Sequence, residues 1–221
     1  MSEPASKSRI PDSPIRIMLI DDHAIVRSGF RRLLEQQSNY EVVAEAGDAD
    51  SAYTLFVEYQ PDVVVLDLSM PGVSGLELLR RMTMRQPNAR ILVFSMHEDA
   101  ALAERAIQLG ACGYVTKSSA PEVLASAVAD MMAGRLAFSP DIAQALATLK
   151  VTGEGDPLMV LSAREFEIFR LLIRGQSVSA IASLLSLSAK TVANYHSLIK
   201  QKLGISSDVE LVLLAHRRKI S

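Results

Sequence analysis

Residues 63–74 read VVVLDLSMPGVS, in which four apolar residues lead directly to Asp67 and a loop with Pro71 and Gly72 follows. An uninterrupted apolar run bounded by turn-forming residues is typical of a strand that is buried on both faces of a parallel sheet. The carboxyl end of such a strand is where open α/β sheets bind ligands. Taken alone, Asp67 is more often a residue that only shapes the turn, so its role depends on what the other strands place beside it.

Similar apolar runs recur along the first part of the chain, and the five strand-like stretches are 15–20, 41–46, 62–67, 89–95 and 112–117. Helical patterns follow each of them, over 23–36, 48–59, 74–84, 98–109 and 119–133. Ser74-x-x-Glu77 and Ser119-x-x-Glu122 are candidate capping boxes for two of these helices. Strands that alternate with helices predict an α/β fold with a doubly wound, five-stranded parallel sheet.

Length and composition restrict the class of protein. A chain of 221 residues suits one or two domains. Cys112 is the single cysteine, which excludes an internal disulfide and a cysteine-rich zinc site. Because no apolar run approaches the roughly 20 residues that a membrane-spanning helix needs, we expect a cytoplasmic protein that has no membrane partner.

The charge is distributed unevenly between the two parts of the chain. Residues 158–221 carry nine Lys and Arg against four Asp and Glu, a balance of +5. Residues 1–157 carry the remaining 14 against 21, a balance of −7. An acidic front part and a basic tail indicate two domains with different partners, the second of which could be a polyanion.

Three of the five strands end in charged residues and a fourth ends in a hydroxyl. The residues at these ends are Asp21, Asp22, Asp67, Ser95 and Lys117. Individually they could be a helix cap, a turn residue or a solvated lysine, but the carboxyl ends of parallel strands meet at one sheet edge. Carboxylates held close together repel each other, and an oxygen-loving cation such as Mg²⁺ would neutralise them. Asp67 would then be the nucleophile for a phosphoryl group, with Lys117 and Ser95 stabilising its oxygens.

A set of motifs in this region resembles the receiver domain of bacterial two-component response regulators, namely DD at 21–22, DLSMPGVSG at 67–75, Ser95 and Lys117. The resemblance covers about residues 14–135 and implies a flavodoxin-like receiver whose Asp67 accepts phosphate from a sensor histidine kinase. It also implies that the chain is not an enzyme beyond its own phosphoryl transfer and dephosphorylation.

The resemblance implies a cofactor, Mg²⁺. Its ligands would be Asp22, Asp67 and the backbone carbonyl of Ser69, with Asp21 second or acting through water. The metal and Lys117 would together stabilise the phosphoryl oxygens.

The resemblance also assigns roles next to the phosphorylation site. Ser95 and Tyr114 would be the switch pair, in which Ser95 turns toward the phosphate and the Tyr114 ring follows inward. Ser69 and His97 occupy the positions two past the acceptor and two past the switch hydroxyl, which flank the route of the attacking water in receivers, although His97 could equally be a solvated loop residue. Many receivers have proline after the conserved lysine. Here that residue is Ser118, as in the NarL/FixJ branch, so a cis peptide bond between Lys117 and Ser118 is not assured.

The segment 136–157 is predicted to be a linker. SPDIAQALATLK at 139–150 has the pattern of a short amphipathic helix, and VTGEGDP at 151–157 has the composition of a hinge. Beyond it, capping boxes at Ser162-x-x-Glu165 and Ser207-x-x-Glu210 and apolar residues at helical spacing predict four short helices. Four helices with tight turns suit a small all-α helix-turn-helix domain over 158–218.

The third of these helices is predicted to run from Ser188 to Leu203 and to have two faces. The apolar stripe consists of Val192, Ile199 and Leu203, with Tyr195 or His196 between them. The polar face consists of Lys190, Thr191, Asn194, Ser197, Lys200 and Gln201. This polar face could be nothing more than a solvated helix surface.

Asparagine can read adenine with two hydrogen bonds, and lysine can neutralise a phosphate, so the polar face is a candidate DNA-reading surface. We expect Lys190 and Lys200 to contact phosphates of double-stranded DNA. Thr191, Asn194 and Ser197 are expected to meet base edges or sugars.

Residues 158–218 resemble the LuxR-type helix-turn-helix of the NarL/FixJ regulators, through LSxRE at 161–165, IA at 181–182, LS at 187–188, KTV at 190–192 and KLGI at 202–205. The resemblance implies a transcriptional regulator that pairs as a homodimer when phosphorylated and acts with RNA polymerase. Family members often carry polar or basic residues at 178–180 and a basic residue at 193, where this chain has VSA and Ala193. Tyr195 also replaces a frequent histidine, so phosphate contacts are expected to be fewer.

Two other classes of function remain as alternatives. An aspartyl-phosphate enzyme of the haloacid dehalogenase type would carry a second Asp two residues after the nucleophile, and this position holds Ser69, which argues against that class. An interaction module whose tail binds protein rather than DNA is the other alternative. A DNA-binding titration across salt would distinguish it, because phosphate contacts give a steep salt dependence.

Overall fold

The computed structural model of the chain describes residues 13–70, 73–151, 157–217 and 220. The first half contains the strands β1 (Ile15–Ile20), β2 (Tyr40–Ala46), β3 (Val63–Leu66), β4 (Arg90–Ser95), β5 (Gly113–Thr116) and β6 (Ala137–Phe138). They form one sheet in the order β2-β1-β3-β4-β5-β6, and every neighbouring pair is parallel. The doubly wound α/β sheet predicted from the sequence is therefore confirmed.

The sheet has six strands rather than the five expected. The additional strand, β6, lies in the segment predicted to be a linker, where the N–H groups of Ala137 and Ser139 donate to the carbonyls of Cys112 and Tyr114, each at 3.1 Å. A strand of two residues has no alternation of side chains, so periodicity could not reveal it. β6 pairs with the edge of β5, which a five-stranded sheet would leave open.

Five helices cover the two faces of the sheet: α1 (Ala24–Glu35), α2 (Ala49–Tyr59), α3 (Gly75–Arg85), α4 (Ala100–Gln108) and α5 (Pro121–Met132). The central strand β3 shows why both faces are apolar. Val64 and Leu66 belong to one buried cluster, whereas Val63 and Val65 belong to a second cluster on the opposite face. The VVVL run is thus a strand buried on both sides, as its composition predicts.

Two of the predicted capping boxes do not form. Ser74 precedes α3 but its side chain caps nothing there and is hydrogen-bonded to Glu167 instead. Glu77, the other member of this capping box, is held by the Arg80 guanidinium at 2.7 Å. α5 also lacks a side-chain cap, and the Ser119 hydroxyl lies 2.8 Å from the Thr116 hydroxyl instead. In both places a nearby polar group competes for the side chain that would have capped the helix.

The second half is helical, with α6 (Pro140–Val151), a 3₁₀ turn at Pro157–Val160, α7 (Ala163–Ile173), α8 (Val178–Leu184), α9 (Ala189–Leu203) and α10 (Asp208–Arg217). The amphipathic helix expected at 139–150 is α6. The Ser162 and Glu165 capping box is present at the start of α7. Most of the predicted hinge, 152–156, lies outside the described residues.

α9 ends at Gly204, whose φ of 66° is the left-handed conformation that glycine adopts most easily. One buried apolar cluster continues from the sheet into the helical half and includes Leu102 on α4 and Phe166 on α7. The two halves therefore pack against each other. Within the described segments, no helix combines the length and apolarity needed to cross a membrane.

Candidate functional site

Asp67 lies directly after the buried strand β3, and its side chain is only 2% exposed. Its N–H donates to the Ile20 carbonyl at 2.8 Å, which fixes the residue between β1 and β3. The loop that follows turns back closely. A Cβ on Gly75 would lie 2.5 Å from the Leu68 Cα and 2.9 Å from the Asp67 carbonyl oxygen. Only glycine therefore allows α3 to begin against this loop.

The Lys117 ammonium bridges two of the acidic residues expected at the sheet edge. Its Nζ lies 2.6 Å from Asp21 Oδ2 and 2.6 Å from Asp67 Oδ2, and all three side chains are nearly buried. Burial alone would lower the pKa of Lys117, but the hydrogen bonds and charges of the two carboxylates outweigh it and raise the pKa. The lysine is therefore held in its charged form, directed at the carboxylate of Asp67.

Asp22 and His23 complete a cluster with Asp21 and Asp67, in which the candidate ligand atoms all lie within 4.8 Å of one another. His23 Nδ1 is 2.8 Å from Asp22 Oδ1, and the His23 N–H donates to Asp21 Oδ1 at 2.8 Å. The donor set is rich in carboxylate oxygens, which are the ligands that Mg²⁺ prefers. Sequence reasoning omitted His23, although its position directly after the aspartate pair could have indicated it.

Ser69 contacts both the candidate acceptor and a residue of the neighbouring loop. Its N–H donates to Asp67 Oδ1 at 3.0 Å, and its Oγ lies 3.2 Å from His97 Nε2. The two positions predicted to flank the site are thus in direct contact.

Ser95 and Tyr114 are both fully buried and lie around the backbone of His97. The His97 N–H donates to Ser95 Oγ at 3.2 Å, and the Tyr114 hydroxyl donates to the His97 carbonyl at 2.9 Å. Burial raises the pKa of Tyr114 well above its usual value, so the hydroxyl remains a proton donor. The structure thus brings the predicted switch residues together, with the tyrosine ring directed inward.

The His97 ring also reaches the helical half. Its Nδ1 lies 3.4 Å from an Nη atom of Arg174 at the end of α7. Burial and the positive charges of Arg170, Arg174 and Lys117 lower the pKa of His97 to about 4, so the ring is neutral at physiological pH.

A second contact between the halves joins Asp99 to Arg170. Asp99 Oδ1 accepts from the Leu102 N–H at 2.9 Å and caps α4, while Oδ2 lies 2.9 Å from Arg170 Nη2. The side chains are 3% and 9% exposed. Sequence reasoning missed this pair because no local pattern links residues 71 positions apart.

A cavity of 360 Å³ lies between the sheet edge and α7. Its polar walls come from Asp22, Ser69 and His97 on one side and from Glu167, Arg170 and Arg174 on the other. Burial raises the pKa of Glu167, against the opposing effect of the neighbouring Arg164 charge. The cavity therefore places charged groups of the helical half beside the acidic cluster.

The predicted DNA-reading helix, α9, is buried on one side and polar on the other. Val192 and Ile199 are completely buried, whereas Lys190, Asn194 and Ser197 are exposed. The remaining two candidates are partly buried and contact other side chains: the Thr191 hydroxyl is 2.7 Å from Ser188 Oγ, and Lys200 Nζ is 3.1 Å from Asp208 Oδ1. Leu203, Tyr195 and His196 are partly buried, and His196 Nε2 lies 2.7 Å from the same Asp208 atom.

Comparison with known proteins assigns both halves. Residues 17–129 match the family model of the response regulator receiver domain, and residues 159–215 match that of bacterial regulatory proteins of the luxR family. The chain is 40% identical to the transcriptional activator protein ExaE of Pseudomonas putida, over 90% of this chain and 94% of ExaE. It is 37% identical to the response regulator UvrY of Escherichia coli K12, over 92% of this chain and 94% of UvrY.

Solved structures of response regulators are also similar to this chain. A LuxR-family two-component response regulator from Aurantimonas sp. SI85-9A1 is 52% identical, with a TM-score of 0.61 over 63% of this chain and 99% of that one. RcsB from Salmonella enterica serovar Typhimurium is 30% identical, with a TM-score of 0.68 over 91% of this chain and 98% of that one. With a receiver domain followed by a LuxR-type helix-turn-helix, and with relatives matched over nearly its whole length, the chain belongs to the NarL/FixJ family of response regulators, the DNA-binding transcriptional regulators of two-component systems.

Proposed function

We propose that Asp67 is the single phosphoacceptor of this regulator and that a cognate sensor histidine kinase supplies the phosphoryl group. The observation that carries this assignment is the Lys117 ammonium, which lies 2.6 Å from both Asp67 Oδ2 and Asp21 Oδ2. A carboxylate that faces a charged lysine is placed to attack phosphorus, and the same lysine can then stabilise the phosphoryl oxygens. Transfer breaks the bond from phosphorus to the donor histidine and forms one to the Asp67 carboxylate.

The carboxylates of Asp21, Asp22 and Asp67 fit Mg²⁺, and we assign the Ser69 backbone carbonyl as a further ligand. When bound, Mg²⁺ would neutralise the charge that develops on the phosphoryl oxygens. Among the chain's own residues, Lys117 would orient the phosphoryl group, and Ser95 would donate a hydrogen bond to it. We assign Ser95 and Tyr114 as the switch pair, and the receiver's only chemistry would be its own phosphoryl transfer and dephosphorylation.

We propose three functional units: a receiver at 14–135, a linker at 136–157 and a DNA-binding domain at 158–218. The exposed Lys190, Asn194 and Ser197 of α9 support double-stranded DNA as the ligand of the third unit. RcsB, a structural relative, has been solved bound to the promoter P1flhDC in the presence of the phosphomimetic BeF₃⁻. Lys200 and Thr191 belong to the same surface, although Lys200 would have to leave Asp208 to reach a phosphate.

The phosphorylated form would act as a homodimer. α10 exposes Val209, Val212 and Leu213, with exposed fractions of 69%, 47% and 51%. Neighbouring apolar side chains exposed on one short helix are typical of an interaction surface, and a second copy of α10 would cover them. RcsB has been solved as two dimers bound to two parallel DNAs.

RNA polymerase is a further proposed partner, because ExaE is a transcriptional activator and an activator must act on the polymerase. A regulator that binds chromosomal DNA works where that DNA is, so we place its action in the cytoplasm.

Mass spectrometry tests the central assignment. Treating the full chain with phosphoramidate and Mg²⁺ should add one phosphate, and peptide mapping should place it on Asp67. Asp67→Ala should take up none, and chelation of Mg²⁺ should prevent labelling of the wild type. Undiminished labelling of Asp67→Ala would overturn the proposal.

A further inference from the structure

The two ring nitrogens of His97 connect the candidate phosphorylation site to the helical half of the chain. Its Nε2 lies 3.2 Å from Ser69 Oγ in the loop after Asp67, and its Nδ1 lies 3.4 Å from an Nη atom of Arg174. Its backbone is fixed at the same time by Ser95 and Tyr114. The ring therefore has little freedom to turn, and each ring nitrogen has a defined neighbour.

The chemistry of Arg174 determines which of these nitrogens carries the proton. A guanidinium has donors only, so Nδ1 must be the acceptor in the contact with Arg174. A neutral imidazole then carries its one proton on Nε2, which donates to the Ser69 hydroxyl oxygen. In this tautomer Nε2 cannot accept a proton from a water molecule beside Asp67.

The arginine is held in place by the packing of α7 on the receiver. Four residues before it on the same helix face, Arg170 forms the buried ion pair with Asp99. At the other end of the interface, the Arg105 side chain of the receiver donates to the Leu161 carbonyl just before α7. Arg174 is therefore presented to His97 by a docked helix rather than by a mobile loop.

We infer that Arg174, a residue of the DNA-binding half, is a positioning residue for the phosphoryl chemistry of the receiver: it keeps His97 in the tautomer with the proton on Nε2 and thereby slows hydrolysis of the phosphoryl group on Asp67. The inference rests on the proposed function. In hydrolysis, the water oxygen forms a new bond to phosphorus, the bond from phosphorus to the Asp67 carboxylate breaks, and inorganic phosphate leaves. One proton of the water must pass to an acceptor. Because Arg174 keeps a proton on His97 Nε2, this nitrogen cannot be the acceptor.

Loss of Arg174 would free the ring to protonate on Nδ1 and to offer Nε2 as an acceptor. The DNA-binding half would then control how long the receiver stays phosphorylated, in addition to reading DNA. The same contact predicts that undocking of α7 shortens the lifetime of the phosphorylated state.

The test compares loss of phosphate from the full chain after labelling with phosphoramidate and Mg²⁺ and removal of the donor. Arg174→Met should lose phosphate about fivefold faster than the wild type, the order of effect expected for coupling between contacting residues. Arg217→Met, which removes an exposed arginine at the end of α10, is the matched control and should leave the rate unchanged.

A double-mutant cycle separates positioning from a merely structural role. If Arg174 acts through the His97 ring, Arg174→Met should have no effect on the rate in a His97→Ala background. An equal acceleration in both backgrounds, or equal rates for Arg174→Met and the wild type, would overturn the inference. Absence of any label on Asp67 would instead overturn the proposed function, and with it this inference.

Nitrogen NMR of the ¹⁵N-histidine-labelled chain provides the second readout. The wild type should show His97 with an unprotonated Nδ1 and a protonated Nε2. Arg174→Met should shift that resonance pair toward the other tautomer, and Arg217→Met should not. A His97 signal identical in the wild type and Arg174→Met would overturn the inference whatever the hydrolysis rates.

Discussion

Asp99 of the receiver and Arg170 of the DNA-binding half form an ion pair of 2.9 Å across the boundary between the two domains, and both side chains are nearly buried. A buried charge that loses its partner must either be rehydrated or remain buried without a partner, which is strongly destabilising. At a boundary between domains the cheaper response is separation, because it returns the charge to water without unfolding either domain. The pair therefore makes the docked arrangement sensitive to single substitutions.

Asp99→Asn is expected to open the two domains. Asparagine retains an acceptor for the Leu102 N–H, so the cap of α4 survives while the charge opposite Arg170 is removed. Small-angle scattering should show a larger radius of gyration for Asp99→Asn and for Arg170→Met. The double variant lacks both charges of this ion pair and should be more compact than either single variant. Single variants with the same radius as the wild type would show that the pair does not hold the domains together.

The acidic cluster should make stability depend on Mg²⁺. In the presence of chelator, Asp22→Asn is expected to raise the free energy of unfolding by roughly 1 kcal/mol, because it removes one of three mutually repelling carboxylates. Adding Mg²⁺ at ten times its dissociation constant should stabilise the wild type by about 1.4 kcal/mol. Asp22→Asn should lose most of that gain. Urea unfolding with and without Mg²⁺ measures both effects, and equal gains for the two proteins would contradict Asp22 as a ligand.

Glu165 should make the DNA-binding half sensitive to acid. Burial would raise the pKa of its carboxyl, but Lys202, 2.7 Å away, and the backbone and hydroxyl of Ser162 together lower it below the usual 4.5. A depressed pKa gives stability that is present above about pH 4.5 and is lost as the pH falls through the native value. Glu165→Gln, which retains acceptor and donor groups for the cap, should remove that contribution.

Measuring the unfolding free energy of the wild type and of Glu165→Gln across pH tests the predicted direction of the pH dependence. The difference in unfolding free energy between the wild type and Glu165→Gln should be largest near pH 6 and should shrink toward pH 3. The contributions of all other titrating groups are the same in both proteins and cancel in this difference. A difference that grew on acidification would contradict the assigned direction.

The sequence predicts well which charged residues meet at the sheet edge, because their convergence follows from topology. Parallel strands put their carboxyl ends on one edge, so the charged residues that follow three of the apolar runs identify Asp21, Asp67 and Lys117 without knowledge of any contact. The geometry confirms the convergence: a single ammonium lies 2.6 Å from two of the carboxylates.

Contacts between the domains could not be predicted in the same way. Asp99 and Arg170 sit on helices whose own patterns are complete, and nothing local marks either as a partner for a residue 71 positions away. Local rules also failed where two polar partners compete, as at Glu77, which pairs with Arg80 rather than capping its helix. Long-range pairing and local competition are decided by tertiary packing, which a pattern in one segment does not encode.

The polar face of α9 should carry DNA recognition. Lys190→Ala is expected to weaken binding on all sequences and to reduce the salt slope by about one, because one phosphate contact is lost. Asn194→Ala should cost roughly 1–3 kcal/mol and relax preference at one position of each half-site. Fluorescence anisotropy across salt, with promoter fragments selected by genome-wide binding, measures both. Full discrimination by Asn194→Ala together with unchanged affinity of Lys190→Ala would show that another face reads the DNA.

The exposed apolar residues of α10 should matter for pairing on DNA rather than for folding. Leu213→Glu places a charge on a surface that a second copy would bury, so the phosphorylated dimer should weaken while the fold is retained, because Leu213 is already about half exposed (51%) in the single chain. A half-site binds few base pairs, so loss of pairing should lower affinity for a two-site fragment much more than for a single half-site. Leu136→Glu is the matched control, since Leu136 is a similarly exposed leucine (58%) that directly precedes β6 and is not part of α10. Sedimentation of the phosphorylated chains and binding to one-site and two-site DNA measure the two effects. If Leu213→Glu still pairs and still prefers two sites as the wild type does, the dimer forms through another surface.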